Sequence, residues 1–483
     1  MAGIGVKLDK IYEKNTLITT LSGMSYSTIV TIAPMIIVMV AIFIMMQVLG
    51  FGKLEYAERE LFSATVLYIF IFALIATSIL NAVISRYIAD MIFEEQYGAV
   101  MPCFYFCLFL TLIFALIPAI PFFIHEYVVG QVDPVFILLS FVGYVSLVFV
   151  FYTMLYLNIC KEYERTTGFY FIGMAVGVLS AWLMDLFLSW SKTYSMLAGL
   201  DVALTLLAIL EFAQMRKFFP GNDHHYTRVC GHFKTYWSLI VSNTLYIVGL
   251  YVHNFVYWTT DLKVVVRNSF VCAQPYDMAT FLALLTNLSA SVIFITAVER
   301  RFSGRYRQYV EKLIGGRLDD IEAAKNRMFR QISVELLELV RVQFIISVVL
   351  FLMFVVILPQ MGISGLVMQI YPCLAAGYFV MFLMYGGIVF LYYYNDLIGA
   401  ILASGVFLVV DFLVSLIATH WHVIWYGMGL LLGSVAGWII CYYRLRWVER
   451  NIDKHIFCEG NIKPYAKGKR PSGLVYKRED AKA

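Results

Sequence analysis

Residues 133–158 read DPVFILLSFVGYVSLVFVFYTMLYLN, and after Asp133 the stretch holds no charged side chain. The cluster Lys161-Glu162-Tyr163-Glu164-Arg165 follows almost at once. A helix needs about 20 mostly apolar residues to cross the hydrocarbon of a bilayer. This stretch meets that requirement, and its polar flanks mark where the chain returns to water. Similar runs lie on both sides of it, at 21–49, 61–83, 101–124, 168–189, 194–215, 235–258, 278–298, 342–360, 366–393, 398–419 and 423–443. The pattern predicts an all-α, polytopic membrane protein with about 12 transmembrane helices.

Composition points the same way. Of the 483 residues 61% are hydrophobic and 14% charged, with a mean hydropathy of +0.78. A soluble domain carries about a quarter charged residues, and no water-soluble core absorbs this apolar excess. The N-terminal segment has mixed charge and runs into the first apolar stretch without a small-residue cleavage site, so that stretch reads as a retained span. Cys103 and Cys107 fall on one helix face, a spacing that suits packing rather than a disulfide.

The net charge of +4 says little, whereas its distribution is informative. With twelve spans, all but five of the 36 Lys and Arg residues fall on one side. The five exceptions are Lys53, Arg59, Lys192, Lys263 and Arg267. The positive-inside rule then puts both termini in the cytoplasm, as expected of a multi-pass protein of the cytoplasmic (inner) membrane.

The spans read as two sets of six: an N-terminal half over 1–220, and a C-terminal half over 221–445 that carries a long cytoplasmic loop at 299–341. Residues 446–483 form a basic tail suited to anionic lipid. Similar loop endings support the division, because weak internal repeats are common in transporters. The long loop predicts helix broken at Gly315-Gly316, with Ile321, Met328, Ile332, Leu336 and Val340 at helical spacing. Such a helix lies on the membrane, docks a partner, or packs on the protein's own loops.

Ionisable groups inside spans are costly and mark candidate sites. Asp185 falls deep in the fifth run and Asp411 near the middle of the eleventh. Both are candidates for contact with substrate or a coupling ion, against a structural helix–helix hydrogen bond. Asp201 and Glu211 lie toward the ends of the sixth run, where water is expected within reach, and rank lower. The first run carries a polar stripe that includes Ser25, Thr28 and Thr31, and the seventh carries Asn243, His253 and Asn254. Polar residues in lipid face the protein interior or a cavity, and their hydroxyls and amides suit sugar hydroxyls. Small polar residues also mediate ordinary helix packing. Arg86, Glu299 and Arg300, at the ends of the second and eighth runs, are candidates for a cytoplasmic gate or partner-docking site. His224, His225, Cys230 and His232 meet no strict zinc spacing. No phosphate-cradling loop or nucleophile motif occurs. A transporter rather than an enzyme is expected, with no metal, cofactor or nucleic acid.

Several stretches resemble one family. These are Met1-Ala2-Gly3-Ile4-Gly5 with Leu8 and Ile11, Ser85-Arg86-Tyr87-Ile88-Ala89-Asp90 with Tyr97-Gly98, and Val298-Glu299 through Tyr306, Tyr309, Gly315-Gly316 and Met328. Tyr393-Tyr394 through Asp396 and on to Asp411 is a fourth. In this order they are similar to the PelG exopolysaccharide transporters, a branch of the multidrug/oligosaccharidyl-lipid/polysaccharide (MOP) flippase superfamily. The chain departs from the family's Ser-Gly-Pro in the first span, where Pro34 follows Thr31-Ile32-Ala33. The resemblance implies an inner-membrane carrier that takes an amino-sugar polymer (Pel-like) from a cytoplasmic glycosyltransferase. It also implies a cyclic-di-GMP-responsive membrane partner and a biofilm matrix as outcome. A lipid-linked oligosaccharide flippase and a small-molecule or drug antiporter of the same superfamily stand as alternatives. A membrane glycosyltransferase fits less well, because the outer loops are too short for a donor site.

Overall fold

The computed structural model describes residues 17–160, 162–188, 190–297, 302–360 and 365–457. Side chains before Ala33 and those at 289–301 lie outside the described residues. In chain order the long helices are α1 (Leu17–Val48), α2 (Tyr56–Phe93), α3 (Val100–Val128), α4 (Pro134–Ile159), α5 (Tyr163–Leu188) and α6 (Lys192–Phe218). A short amphipathic helix α7 (Tyr226–Thr235) precedes α8 (Trp237–Tyr257) and α9 (Gln274–Ala297). Then come α10 (Ser303–Gly315), α11 (Leu318–Gln360), α12 (Gly365–Tyr393), α13 (Leu397–Ala418) and α14 (Met428–Phe457). Among the described residues, 10 helices are long and apolar enough to cross a membrane. With α1 and α9 alongside them, the chain is an all-α polytopic membrane protein. Among the described residues the only strands form a hairpin between α8 and α9, β1 (Val264–Val266) paired antiparallel with β2 (Phe270–Cys272).

The surface shows why a bilayer is needed. Phe109, Ile117, Ile120 and Ile124 of α3 are exposed, as are Phe344, Ile345, Val349 and Val356 of α11. In water such a belt would drive aggregation; in lipid it has no cost. Charged ends bound these belts and define two faces. One face carries the basic loops, and the other carries the hairpin.

Helix packing follows a repeated scheme. Within α1–α6 the contacting pairs include α5 with α6, α1 with α5, α4 with α6, α2 with α4 and α2 with α3. Within α8–α14 the matching pairs are α13 with α14, α8 with α13, α12 with α14, α9 with α12 and α9 with α11. The two sets meet through α2 against α8 and α1 against α9. The first set holds two large cores, one around Leu147, Met174 and Leu204 and one around Tyr87, Phe104 and Tyr152, and the second set holds one around Tyr276, Tyr371 and Phe407.

The Gly315-Gly316 break falls where the sequence predicts it, between α10 and α11. The structure adds continuity, since the charged segment and the ninth apolar run form one helix of 43 residues. The apolar face of the charged segment is covered by protein. Met328, Phe329, Ile332 and Leu339 pack with Phe302, Tyr309, Phe390, Tyr394, Val448 and Ile452. Asp319, Asp320, Glu322, Arg327 and Arg330 remain exposed on the other side.

Candidate functional site

The second helix set holds a buried polar cluster centred on α8, α9 and α13. His253, Asn254, Tyr257 and Trp258 come from the end of α8, where helical spacing stacks them on adjoining faces. Both His253 and Asn254 are buried, as is Tyr257. His253 Nδ1 lies 2.8 Å from the Tyr276 hydroxyl, and Asn254 Nδ2 donates to Asp277 Oδ1 at 2.8 Å. Trp258 Nε1 donates to both Asp277 oxygens at 3.0 Å, and the Ala273 amide donates to Oδ2 at 3.0 Å. Asp277 thus sits in the first turn of α9, where a carboxylate meets the free amide groups of a helix N-terminus.

Asp411 closes the cluster from α13. It is fully buried, and Ser415 Oγ, one turn on, donates to its Oδ1 at 3.0 Å. Helix α14 comes close only because it presents glycine. A Cβ on Gly429 would stand 1.9 Å from Ser415 Oγ and 2.7 Å from Asp411 Oδ1, and one on Gly433 2.8 Å from Asp411 Cβ. Asp411 lies within electrostatic range of Tyr257, Tyr276 and Tyr378. Four buried polar atoms make no hydrogen bond among the described residues: His253 Nε2, Asn254 Oδ1, Tyr257 Oη and Asp411 Oδ2. Buried polar groups are nearly always paired, so such a concentration marks a place able to bind.

Of the residues the sequence singles out, His253, Asn254 and Asp411 are therefore brought together. Asn243 is not; its Nδ2 donates to the Ser78 carbonyl and ties α8 to α2. Asp185 is also apart. Helix α5 ends at Leu188, so Asp185 lies in its last turn and not at depth, half-buried among exposed Leu183, Leu186 and Phe187. Arg86 pairs with Asp90 at 3.5 Å and covers the Tyr236 ring at 5.3 Å, at the basic face where the two sets join. The side chains of Ser25, Thr28 and Thr31, and residues Glu299 and Arg300, lie outside the described residues. His224, His225, Cys230 and His232 form no metal-holding group among the described residues.

Asp201 and Glu211 reverse the sequence expectation. Both are buried in α6 against α4, with Gly143 at the first and Thr153, donating at 2.5 Å, at the second. Neither Asp201 oxygen finds a partner among the described residues. Asp277 escaped the sequence reading because it falls one residue before the predicted span. The acidic residue in a helix's first turn was the signal present.

A family model described as "Putative exopolysaccharide Exporter (EPS-E)", PelG, matches residues 1–457. The chain belongs to the PelG family. The match takes in every helix from α1 to α14, so the polar cluster and the hairpin are both within it. No curated protein matches the chain. Solved structures share the fold at low identity. One is the outward-facing conformation of a multidrug resistance MATE family transporter of the MOP superfamily. It is 12% identical, with a TM-score of 0.57 over 89% of this chain and 96% of that one. Another is a MOP superfamily transporter from Pyrococcus furiosus, described by a binding pocket of reverse polarity. It is 10% identical, with a TM-score of 0.57 over 88% and 96%. The family match points to a membrane transporter, and the chain shares its fold with solved MATE transporters.

Proposed function

We propose that the protein carries an amino-sugar exopolysaccharide, Pel-like, outward across the inner membrane for the biofilm matrix. The observation that carries this reading is the exporter-family match along residues 1–457. In this reading there are twelve spans in two six-helix halves, over 1–220 and 221–445, and the repeated packing scheme supports that division. The basic face, with both termini and the 446–483 tail, is cytoplasmic, and the hairpin face looks outward. The polymer passes between the sets, where α1 and α2 meet α8 and α9. His253, Asn254, Tyr257 and Asp411 offer it donors and acceptors suited to sugar hydroxyls. A cytoplasmic glycosyltransferase docks on the exposed charged side of α10 and α11, and a cyclic-di-GMP-responsive membrane partner joins the assembly.

The test is in-frame deletion of the gene with staining of surface and intracellular polysaccharide. Loss at the surface with restoration by the intact gene is the expected result. Unchanged surface polymer overturns the reading. The buried Asp411, together with the MATE-like fold, favours a small-molecule antiporter as the second reading. Dye extrusion by the purified protein in vesicles, without any effect on polymer, would select it.

A further inference from the structure

Below the hairpin lies a cavity of about 180 Å³, separate from the polar cluster and set among α2, α3 and α4. Six aromatic side chains line it: Tyr68, Phe72, Phe122, Phe123, Tyr144 and Phe270. Phe270 comes from β2, so the hairpin forms part of its wall. The rings are held in place. Tyr68 stacks on Phe122 and on Trp258 at 5.3 Å each, and Phe270 meets Tyr68 edge-on at 5.1 Å.

The few polar atoms in the wall share one property. Thr65 Oγ1 donates to Leu61 O at 2.7 Å, Ser140 Oγ to Phe136 O at 2.8 Å and Tyr144 Oη to Ala115 O at 3.0 Å. Tyr68 Oη donates to Val271 O at 2.7 Å. Each hydroxyl proton is already committed, and the Tyr68 oxygen also accepts from the Val271 amide at 3.0 Å, so toward the cavity Thr65, Ser140 and Tyr144 can only accept. No Lys or Arg lines the cavity, and the buried Glu126 lies one turn beyond Phe122 on α3. A fitting ligand therefore has an apolar face for the rings, donors at its edge, and no negative charge. A neutral or cationic sugar ring has all three features, its C–H face packing on aromatic rings and its hydroxyl or amide N–H groups donating. A uronic acid or a phosphate does not.

We infer that this aromatic cavity is a subsite for a single uncharged or amino-sugar ring of the polymer on the hairpin side of the path, and that it excludes acidic sugars. The inference deepens the export reading and rests on it. The subsite selects by ring stacking and by accept-only hydroxyls, so removing one ring weakens binding without altering charge. Phe122 is the ring to remove, since it packs between Tyr68 and Phe123.

The experiment is calorimetric titration of the full-length protein in lipid nanodiscs with an N-acetylhexosamine tetramer and with a tetragalacturonate. The neutral oligomer is expected to bind. Phe122→Leu should weaken it about tenfold and Phe122→Tyr should preserve it, since only the second keeps a ring. Gel filtration confirms that both variants fold. The acidic oligomer is expected to bind at least about tenfold more weakly, having no cation to meet. Equal affinity in Phe122→Leu, loss in a folded Phe122→Tyr, equal binding of the acidic oligomer, or no binding of either overturns the subsite. Any of these, alongside lost surface polymer in the deletion strain, leaves the export reading standing. A deletion strain with normal surface polymer overturns the export reading itself.

Discussion

Tyr68 satisfies both backbone groups of Val271: its hydroxyl donates to the Val271 carbonyl at 2.7 Å and accepts from the Val271 amide at 3.0 Å. A side chain from α2 thereby takes the place of a neighbouring strand at the open edge of β2, which would otherwise present unpaired groups. The link fastens the second helix set to the first across the hairpin face. Tyr68→Phe should cost about 1–3 kcal/mol locally, because it orphans a half-buried amide and carbonyl. Maleimide labelling of Cys272, buried in the same strand, should then accelerate when all other cysteines are replaced. Unchanged labelling would mean that the hairpin is held by apolar packing alone.

The hairpin turn sits against the end of α3. Arg267 and Asn268 are both left-handed, with φ 49° and 54°, and Ser269 Oγ donates to Glu126. A Cβ on Gly130 would stand 3.2 Å from Ser269 Cβ and 2.7 Å from the Glu126 carbonyl oxygen, so the last turn of α3 must shift slightly to admit a side chain there. The first separation approaches the Cβ–Cβ spacing of a disulfide, about 3.5–4.5 Å. Gly130→Cys with Ser269→Cys should therefore cross-link under mild oxidation. If the hairpin must move for polymer to leave, oxidised cells lose surface polysaccharide and reductant restores it. Full export by the cross-linked protein would show that the path avoids this contact.

Asp411→Asn keeps the shape of the cluster and leaves it unable to ionise. Export should fall at least about tenfold with the protein at its normal level, if the carboxylate contacts substrate or a coupling ion. Quantitative blotting beside a polysaccharide assay checks this. Normal export would give Asp411 a packing role, through Ser415 and the glycines of α14.

Gly429→Ala tests that packing directly. The added methyl overlaps Ser415 Oγ and crowds Asp411. A loss of about 1–3 kcal/mol is expected for such overpacking, seen as a lower melting temperature in detergent. Ser415→Ala should recover part of the loss in the double variant. Equal melting of Gly429→Ala and the parent would show that α13 and α14 separate easily.

Deleting the 303–340 segment would strip the cover from Phe390, Tyr394 and Val448, so a loss of binding after deletion would be ambiguous. Charge removal is cleaner. Asp319→Asn, Asp320→Asn and Glu322→Gln together alter only exposed groups and should leave melting within about 0.5 kcal/mol. Co-purification of the glycosyltransferase should fall severalfold if this side is its docking surface. Undiminished co-purification would place the partner elsewhere.

The sequence by itself determined the class of the protein, the approximate positions of most long apolar helices and the break at Gly315-Gly316. Those features depend on local patterns: apolar length against bilayer thickness, charge against lipid, and glycine against helix continuity. It also placed polar candidates in the eighth helix and at Asp411, because an ionisable or amide group in an apolar run stands out. Tertiary structure alone decided which candidates meet. His253, Asn254 and Asp411 converge because α8, α9 and α13 pack together and Gly429 lets α14 approach, whereas Asp185 ends in a terminal turn. It alone revealed Asp277 beside Trp258 and the burial of Asp201. The aromatic cavity also needed it, since its walls come from positions some 200 residues apart, Tyr68 and Phe270. Depth along one helix is written in its own residues, but burial and partnership depend on which other helices arrive, and no local pattern records that.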